Sequence, residues 1–539
     1  MSHAAGSVRI HGGAVHDPAR GARGEIADIC IADGRVVASL PSGAPEFDAR
    51  GLVVLPGGVD LHSHIAGPAV RAARLLCPEA ASTCLPTLRD TGRLYARMGY
   101  TTVFDAAVSP VGARAAHDEL DAMPILDKGI YILAGNHTLA LRYIREGRAE
   151  ALRALLDWLL RSARGYALKV VNPGGVAEWT RGEPPAAPPD LLLRAFAGAA
   201  AELRLPHPLH VHLNGLGEPG NASTTLRLMQ ALEDRPAHLT HLQFHAYGGR
   251  THAGLKSRAP EIAAWLNAHP SATADVGQVV FGPAVTLSAD APAQHRLHRA
   301  TGRKWFNLDT EAETGCGIVP HDYRADRLTS AVQWATGLEL MLLCADPWRL
   351  FLTTDHPNGG AFTSYPLIIR MLMDRPFRDA LVAAAHPRLG ARTVLSGIGR
   401  EYTLDEIAVI TRAGPARALG LARKGHLGPG ADGDVALYRR TPDIEAMFGG
   451  AVAVFKDGRL VVRDGEILEE PAGRTFYATP AAPPTPARSA DRSAAGLRDD
   501  LAACSSVGID DDIIAEESLR RPEPVPPRAG TGRSGEAGA

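Results

Sequence analysis

Eight short apolar segments recur along the middle of the chain, separated by stretches that read as helical. They are LVVLPGGVDLH from residue 52, TTVFDAAV from 101, GIYILAGN from 129, ALKVVN from 167, PLHVHLN from 208, HLTHLQFHA from 238, TADVGQVVF from 273 and LFLTTDH from 350. Short apolar runs rich in β-branched residues, alternating with helices, are the pattern of a parallel α/β fold, because a parallel strand needs a long crossover to return to the same edge. Eight such units over about 345 residues predict a (β/α)8 TIM-type barrel with insertions, which places the chemistry at the C-terminal ends of its strands. A doubly wound sheet is the alternative. The Gly-rich dinucleotide fingerprint it would carry after the first strand is missing, and that strand runs instead into His62 and His64.

The two ends of the chain differ from this middle. SVRIHGGAVHD and IADICIADGRVVASL near the start, and DGDVALYRR and AVAVFKDGRLVVRDGEIL downstream, read as short strands, with Asp33-Gly34, Asp457-Gly458 and Asp464-Gly465 as hairpin turns. Neither end is large enough to stand alone. We therefore expect one small composite β domain, built from residues 1–54 and 401–477, with a barrel at 55–400 inserted between its halves. Residues 478–539, rich in Pro, Ala, Gly and charge, read as a flexible tail, in which DDIIAEESLRR is a candidate short helix.

Composition excludes more than it identifies. A chain of 539 residues with 45% apolar and 22% charged residues has ample material for a large core. Its formal net charge of −2 supplies no field for steering toward nucleic acid or a membrane. No apolar run approaches the roughly 18 residues of a spanning helix, and the start, MSHAAGSVRIHGG, lacks the features of a signal peptide. The six cysteines are scattered, with neither a disulfide framework nor the clusters an iron-sulfur centre needs, so a reducing cytoplasm is the expected location.

The strand ends carry the chemistry. In PGGVDLHSH, His62 and His64 are two residues apart, and residues i and i+2 of a strand face the same side. Lys169 sits among apolar neighbours on the fourth strand. The fifth offers His210 and His212, the sixth His238, His241 and His245, and the eighth ends in Asp355 and His356. Singly, each has a structural explanation as a buried histidine or a paired lysine. Together they form a set of imidazole, amine and carboxylate groups suited to divalent cations.

The order His-x-His, Lys, His, His, Asp resembles the amidohydrolase superfamily, and LARKGHLGPGADGDVALY (421–438) resembles its closing segment. Within it, DLHSHIAGP, KVVNPGG, HVHLNGLGEPGN, HLTHLQFHAYGG, ETGCGIVP and TTDHPNGG resemble the A component of formylmethanofuran dehydrogenase and the hydrolase component of the bacterial formyltransferase/hydrolase complex. The resemblance implies a binuclear centre held by His62, His64, Lys169, His212, His241 and Asp355, with a carboxylated Lys169 bridging two divalent metals, zinc preferred. A carbamate gives the physical reason for the lysine, since an ammonium would repel cations that two anionic oxygens attract. The resemblance further implies hydrolysis of the N-formyl amide of a methanofuran-type carrier to formate and amine, with Asp355 as the proton-transferring base, and partners from the rest of a multi-subunit complex. Where the family has a segment like KVNxGR, this chain departs from it with AVRAAR (69–74); a carrier with an acidic tail would need basic contacts, for which Arg71 and Arg74 are candidates, and His245 is a candidate donor to the substrate. His210 and His238 are expected to support or pack against the ligands. The alternatives are a free-standing cyclic amidohydrolase of the dihydroorotase or hydantoinase type, an archaeal-type dehydrogenase component running the reaction in reverse, and a silent assembly scaffold.

Overall fold

In the computed structural model, residues 6–175, 187–308, 316–481, 487–504 and 513–529 are described. Eight parallel strands follow one another around a curled sheet: Gly58–Ser63, Tyr100–Val108, Asp127–Leu133, Ala167–Val171, Leu209–His212, Ala237–Leu239, Ala272–Asp275 and Leu350–Phe351. The first and last meet at a bridge between Ser63 and His356, reinforced by the His64 amide donating to the His356 carbonyl at 2.7 Å. The chain thus adopts the (β/α)8 TIM-type barrel expected from its eight apolar segments, each of which contributes a barrel strand.

The first of those segments is two strands. Leu52–Pro56 belongs to a separate nine-stranded sheet and Gly58–Ser63 to the barrel. Gly57 and Gly58 make the break: a Cβ at Gly57 would stand 2.3 Å from the Thr101 hydroxyl, and one at Gly58 2.6 Å from the Tyr100 ring. The nine-stranded sheet joins both chain ends, as Val435–Arg439 pairs antiparallel with Leu52–Pro56 and Val8–Asp17 flanks the latter's other edge. Its core is its own, with Ile10, Ile31, Val54, Leu437 and Phe455 buried together.

Two features depart from the expected layout. Helical segments from Leu404 to Leu419 lie against the barrel, where the Leu352 amide donates to the Ile410 carbonyl, so barrel packing continues past residue 400. The stretch read as a tail also contributes structure: Pro522–Val525 pairs in parallel with Thr475–Ala478, which itself flanks Asp127–Leu133. Leu497, Leu501, Ile514 and Leu519 are buried. Composition hid this because a strand docked on a larger body needs only a few apolar residues of its own. The candidate helix in DDIIAEESLRR is a single 3-10 turn, Glu516–Ser518, and its first two residues lie outside the described ones. Among the described residues no helix is long and apolar enough to cross a membrane.

The barrel interior is layered. Val59, Leu61, Phe104, Tyr131, Tyr166 and Phe351 form an apolar cluster that includes Leu419 of the returning chain. Alongside it runs a layer of imidazoles, His207, His210 and His238, all fully buried. His207 stacks on Tyr131, and His238 stacks on Phe351 and His210.

Candidate active site

At the C-terminal end of the first strand, His62 and His64 reach the same carboxylate. Asp355 Oδ1 lies 3.0 Å from His62 Nε2 and 3.1 Å from His64 Nε2. All three are buried, and their ligand atoms lie within 4.8 Å of one another. Asp60, two residues upstream, accepts the His62 amide at 3.0 Å and the Tyr95 hydroxyl at 2.6 Å, which anchors the strand end, while burial lifts Asp60 to about 6.

A second group faces the first. His212 closes the fifth strand, and His241 and His245 follow the sixth, with imidazole nitrogens again within 4.8 Å of one another. Lys169, in the middle of the fourth strand, lines the same cavity as His64, His212, His241 and Asp355. Three site-bearing strand ends adopt left-handed backbone: Asn172 with φ 42°, His241 with φ 37° and Asp355 with φ 49°. Asn, Asp and His tolerate that region better than other side chains, and such conformations cluster at functional sites. Of the three, His241 and Asp355 line the cavity.

Burial sets the electrostatics. It pushes Lys169 down to about 8, although the Asp355 and Asp275 carboxylates oppose the shift. Burial also holds His212, His241 and His245 below the usual imidazole range. His62 goes the other way. Burial disfavours its charge, but Asp275 and Asp355 on either side outweigh that and hold it up at about 9. Asp355, despite burial, is kept well below the ordinary carboxylate range by His62 and His64.

Several of these buried atoms have no hydrogen-bond partner among the described residues: Lys169 Nζ, His212 Nε2, His241 Nδ1 and both ring nitrogens of His245. A buried polar group left unpaired costs about 1–3 kcal/mol. Three such atoms, on Lys169, His212 and His241, line one cavity with His245 grouped beside them, and next to a carboxylate shared by two imidazoles they form a donor set that fits divalent cations. His62, His64 and Asp355 would hold one side, His212 and His241 the other, with Lys169 between them.

The six expected ligands therefore converge, and His245 joins them. Arg71 and Arg74 do not. Arg71 Nε donates to Glu119 at 2.6 Å, and Arg74 donates to the Ile65 and Pro86 carbonyls at 2.8 and 3.0 Å, clamping the loop that follows His64. Of the ETGCGIVP motif, residues 313–315 lie outside the described residues, and the rest lies in Cys316–Tyr323, part of a three-stranded insertion. Three carboxylates escaped the sequence reading. Asp275 accepts from His62 Nδ1 at 2.8 Å, Asp105 accepts the Ile65 and Ala66 amides, and Asp290 Oδ2 lies 3.5 Å from His212 Nε2. Asp275 was visible in TADVGQVVF as an acid on an apolar strand.

Against protein families, residues 46–468 match the model described as the amidohydrolase family. The chain belongs to the amidohydrolase family. Among curated relatives of this amidohydrolase, the A component of the formyltransferase/hydrolase complex Fhc of Methylorubrum extorquens is 43% identical over 499 residues, covering 87% of this chain and 90% of the relative. Protein FwdA of Methanocaldococcus jannaschii is 41% identical over 511 residues with the same two coverages. Among solved structures, one of the Methylorubrum extorquens formyltransferase/hydrolase complex FhcABCD with methylofuran superposes at a TM-score of 0.90 and 39% identity, over 97% of this chain and 100% of that one. A D-aminoacylase, at a TM-score of 0.51 and 15% identity over 87% of this chain and 99% of that one, shares the fold.

Proposed function

We propose that this amidohydrolase cleaves the N-formyl amide of a formylmethanofuran or methylofuran-type carrier to formate and the free amine, as one component of a formyltransferase/hydrolase complex. The observation that carries the reading is the convergence of His64, Lys169, His212, His241 and Asp355 on one cavity, with His62 behind them against Asp355 and with the Lys169 amine and the facing imidazoles unpaired. The substrate and the partners rest on the similarity to the Methylorubrum extorquens Fhc component, whose complex is described with methylofuran.

An amide resists water because its carbonyl is a weak electrophile and its amine a poor leaving group. These residues, with Lys169 carboxylated, would supply the donors for two divalent cations, which when bound would polarise the carbonyl and lower the pKa of a water toward neutrality. Zinc is preferred for imidazole, carbamate and carboxylate donors without thiolate, while iron and manganese fit the same set. Asp355 keeps its carboxylate ionised, so it is available to accept the proton of the attacking water and return it to the departing nitrogen. Water adds its oxygen to the formyl carbon, the C–N bond breaks, and the products are formate and the amine. His245, buried beside His212 and His241, is our candidate donor to the substrate carbonyl.

The test is metal content by elemental mass spectrometry, with formate release from a formylated aminomethylfuran, for wild type and Lys169→Ala. About two metals per wild-type chain, lost together with formate release in the variant, is the expected result. Metal without formate release overturns the substrate. Turnover of dihydropyrimidines or hydantoins would favour a cyclic amidohydrolase, and no metal at all would favour a scaffold.

A further inference from the structure

Behind His62 a continuous line of imidazoles runs down the barrel to a backbone carbonyl. His207 Nδ1 lies 3.0 Å from the Ala418 carbonyl, His207 Nε2 lies 3.0 Å from His210 Nδ1, and His210 Nε2 lies 3.3 Å from His62 Nδ1. Asp275 Oδ2 lies 2.8 Å from the same His62 nitrogen and 3.1 Å from His238 Nε2. Every member is buried.

A carbonyl can only accept, and that single fact propagates along the chain. His207 must carry its proton on Nδ1, because Ala418 offers no donor. The Arg528 guanidinium, 3.0 Å away, donates to the same oxygen and leaves it an acceptor. A neutral imidazole has one N–H and one lone pair, so His207 Nε2 is an acceptor. Burial pushes His207 well below the usual imidazole range, which keeps it neutral. His210 then donates through Nδ1 and presents a lone pair at Nε2. His62 meets two acceptors at Nδ1, the His210 lone pair and the Asp275 carboxylate, so its proton sits there. His62 Nε2 is then the nitrogen that faces Asp355, 3.0 Å away, and the one left to offer a lone pair to a cation, whose binding displaces any proton there.

We infer that His207, His210 and Asp275 are positioning residues that lock the tautomer of His62, with the direction set by the Ala418 carbonyl on the chain's return segment. This rests on the reading of His62, His64 and Asp355 as metal ligands. Asp275 couples the two halves of the site as well, because its Oδ1 accepts the His241 amide at 2.9 Å and the Thr353 hydroxyl at 2.7 Å. The left-handed backbone at His241 is thereby tied to the carboxylate that orients His62.

The test is Co2+ binding to the metal-stripped full chain, followed by visible absorption and chelator competition, for wild type, His210→Gln, His210→Met and His207→Met. Glutamine can donate its amide to His207 and accept from His62, so it preserves the order of donors and acceptors; methionine fills similar space and preserves none of it. Outer partners of metal-binding histidines are worth about 10- to 100-fold in affinity, so both methionine variants should weaken Co2+ binding by about that factor and shift the spectrum, with His210→Gln within about threefold of wild type. Should His210→Met fail to fold, His207→Met, which touches none of the ligands, decides the question. Methionine variants that bind Co2+ like wild type, or equal losses in His210→Gln and His210→Met, would overturn the lock and leave packing as the role. A wild-type chain that binds no Co2+ would overturn the metal reading and the lock with it, whereas metal binding without formate release would leave the lock standing and remove only the substrate.

Discussion

Asp355 is the residue on which binding and chemistry meet. It touches His62 and His64, follows the eighth strand in left-handed backbone, and is held ionised by its neighbours. Asp355→Asn keeps the shape but loses the negative charge and the basicity. We expect formate release to fall by about 10²- to 10⁴-fold, the range for removing a general base, while circular dichroism shows the fold unchanged; full activity in the variant would exclude Asp355 as the base. At this scale much of the site was legible beforehand. The i, i+2 spacing of His62 and His64 and the lysine among apolar neighbours are local facts, and the resemblance supplied the remaining assignments. Arg71 and Arg74 show the limit. The sequence offers their charge as basic contacts but does not place Glu119 beside Arg71, or the Ile65 and Pro86 carbonyls beside Arg74, where the fold pairs them.

At the scale of elements, the strand ends set the site by their backbone. Gly277, just past the seventh strand, has φ +59°, and a Cβ there would stand 2.3 Å from His241 Cβ and 3.5 Å from Asp355 Cβ. Its smallness lets the sixth and eighth strand ends close over the seventh. Gly277→Ala combines left-handed strain of about 1–3 kcal/mol with displacement of His241. A lower thermal midpoint, together with reduced metal content on the purified chain, is the expected pair of results. An unchanged metal content would mean that the site tolerates the shift. Such a contact is invisible in the sequence, where VGQ is an unremarkable tripeptide, because the glycine is required by a neighbour 36 positions away.

Across the whole molecule, barrel, β domain and C-terminal return are pinned by one buried ionic knot. Lys424 bonds Asp127 and Asp434, Lys456 reaches the same two carboxylates, and Arg474 bridges Asp127 and Asp432 at 2.8 and 2.7 Å. Asp127 starts the third barrel strand, Lys456 ends a β-domain strand, and Arg474 precedes the strand that carries the tail. Despite burial, these cations hold Asp127, Asp432 and Asp434 below the usual carboxylate range. Carboxylates depressed in the folded state contribute stability that is present above about pH 3.9, their unfolded value, and is lost as pH falls through the folded values. The wild-type thermal midpoint should therefore drop below about pH 4. Lys424→Met leaves carboxylate charge under-compensated in the interior and should cost about 3–5 kcal/mol at neutral pH. Its deficit relative to wild type should shrink in acid, where protonation removes the unpaired charge. A deficit independent of pH, followed by thermal unfolding across that range, would mean that Lys424 acts through packing.

The sequence by itself determined the barrel and much of the candidate site, because both are periodic or local: eight apolar strands, the histidine pair, and ligand types on five strands. The tertiary structure alone decided three other things. It split LVVLPGGVDLH between two sheets, because Tyr100 and Thr101 crowd Gly57 and Gly58. It turned a Pro-rich tail into a paired strand, because the exposed edge of Thr475–Ala478 supplied the partner. And it set the Ala418 carbonyl under His207, because hydrogen-bond direction along a buried chain depends on what lies at its far end, here 211 residues away.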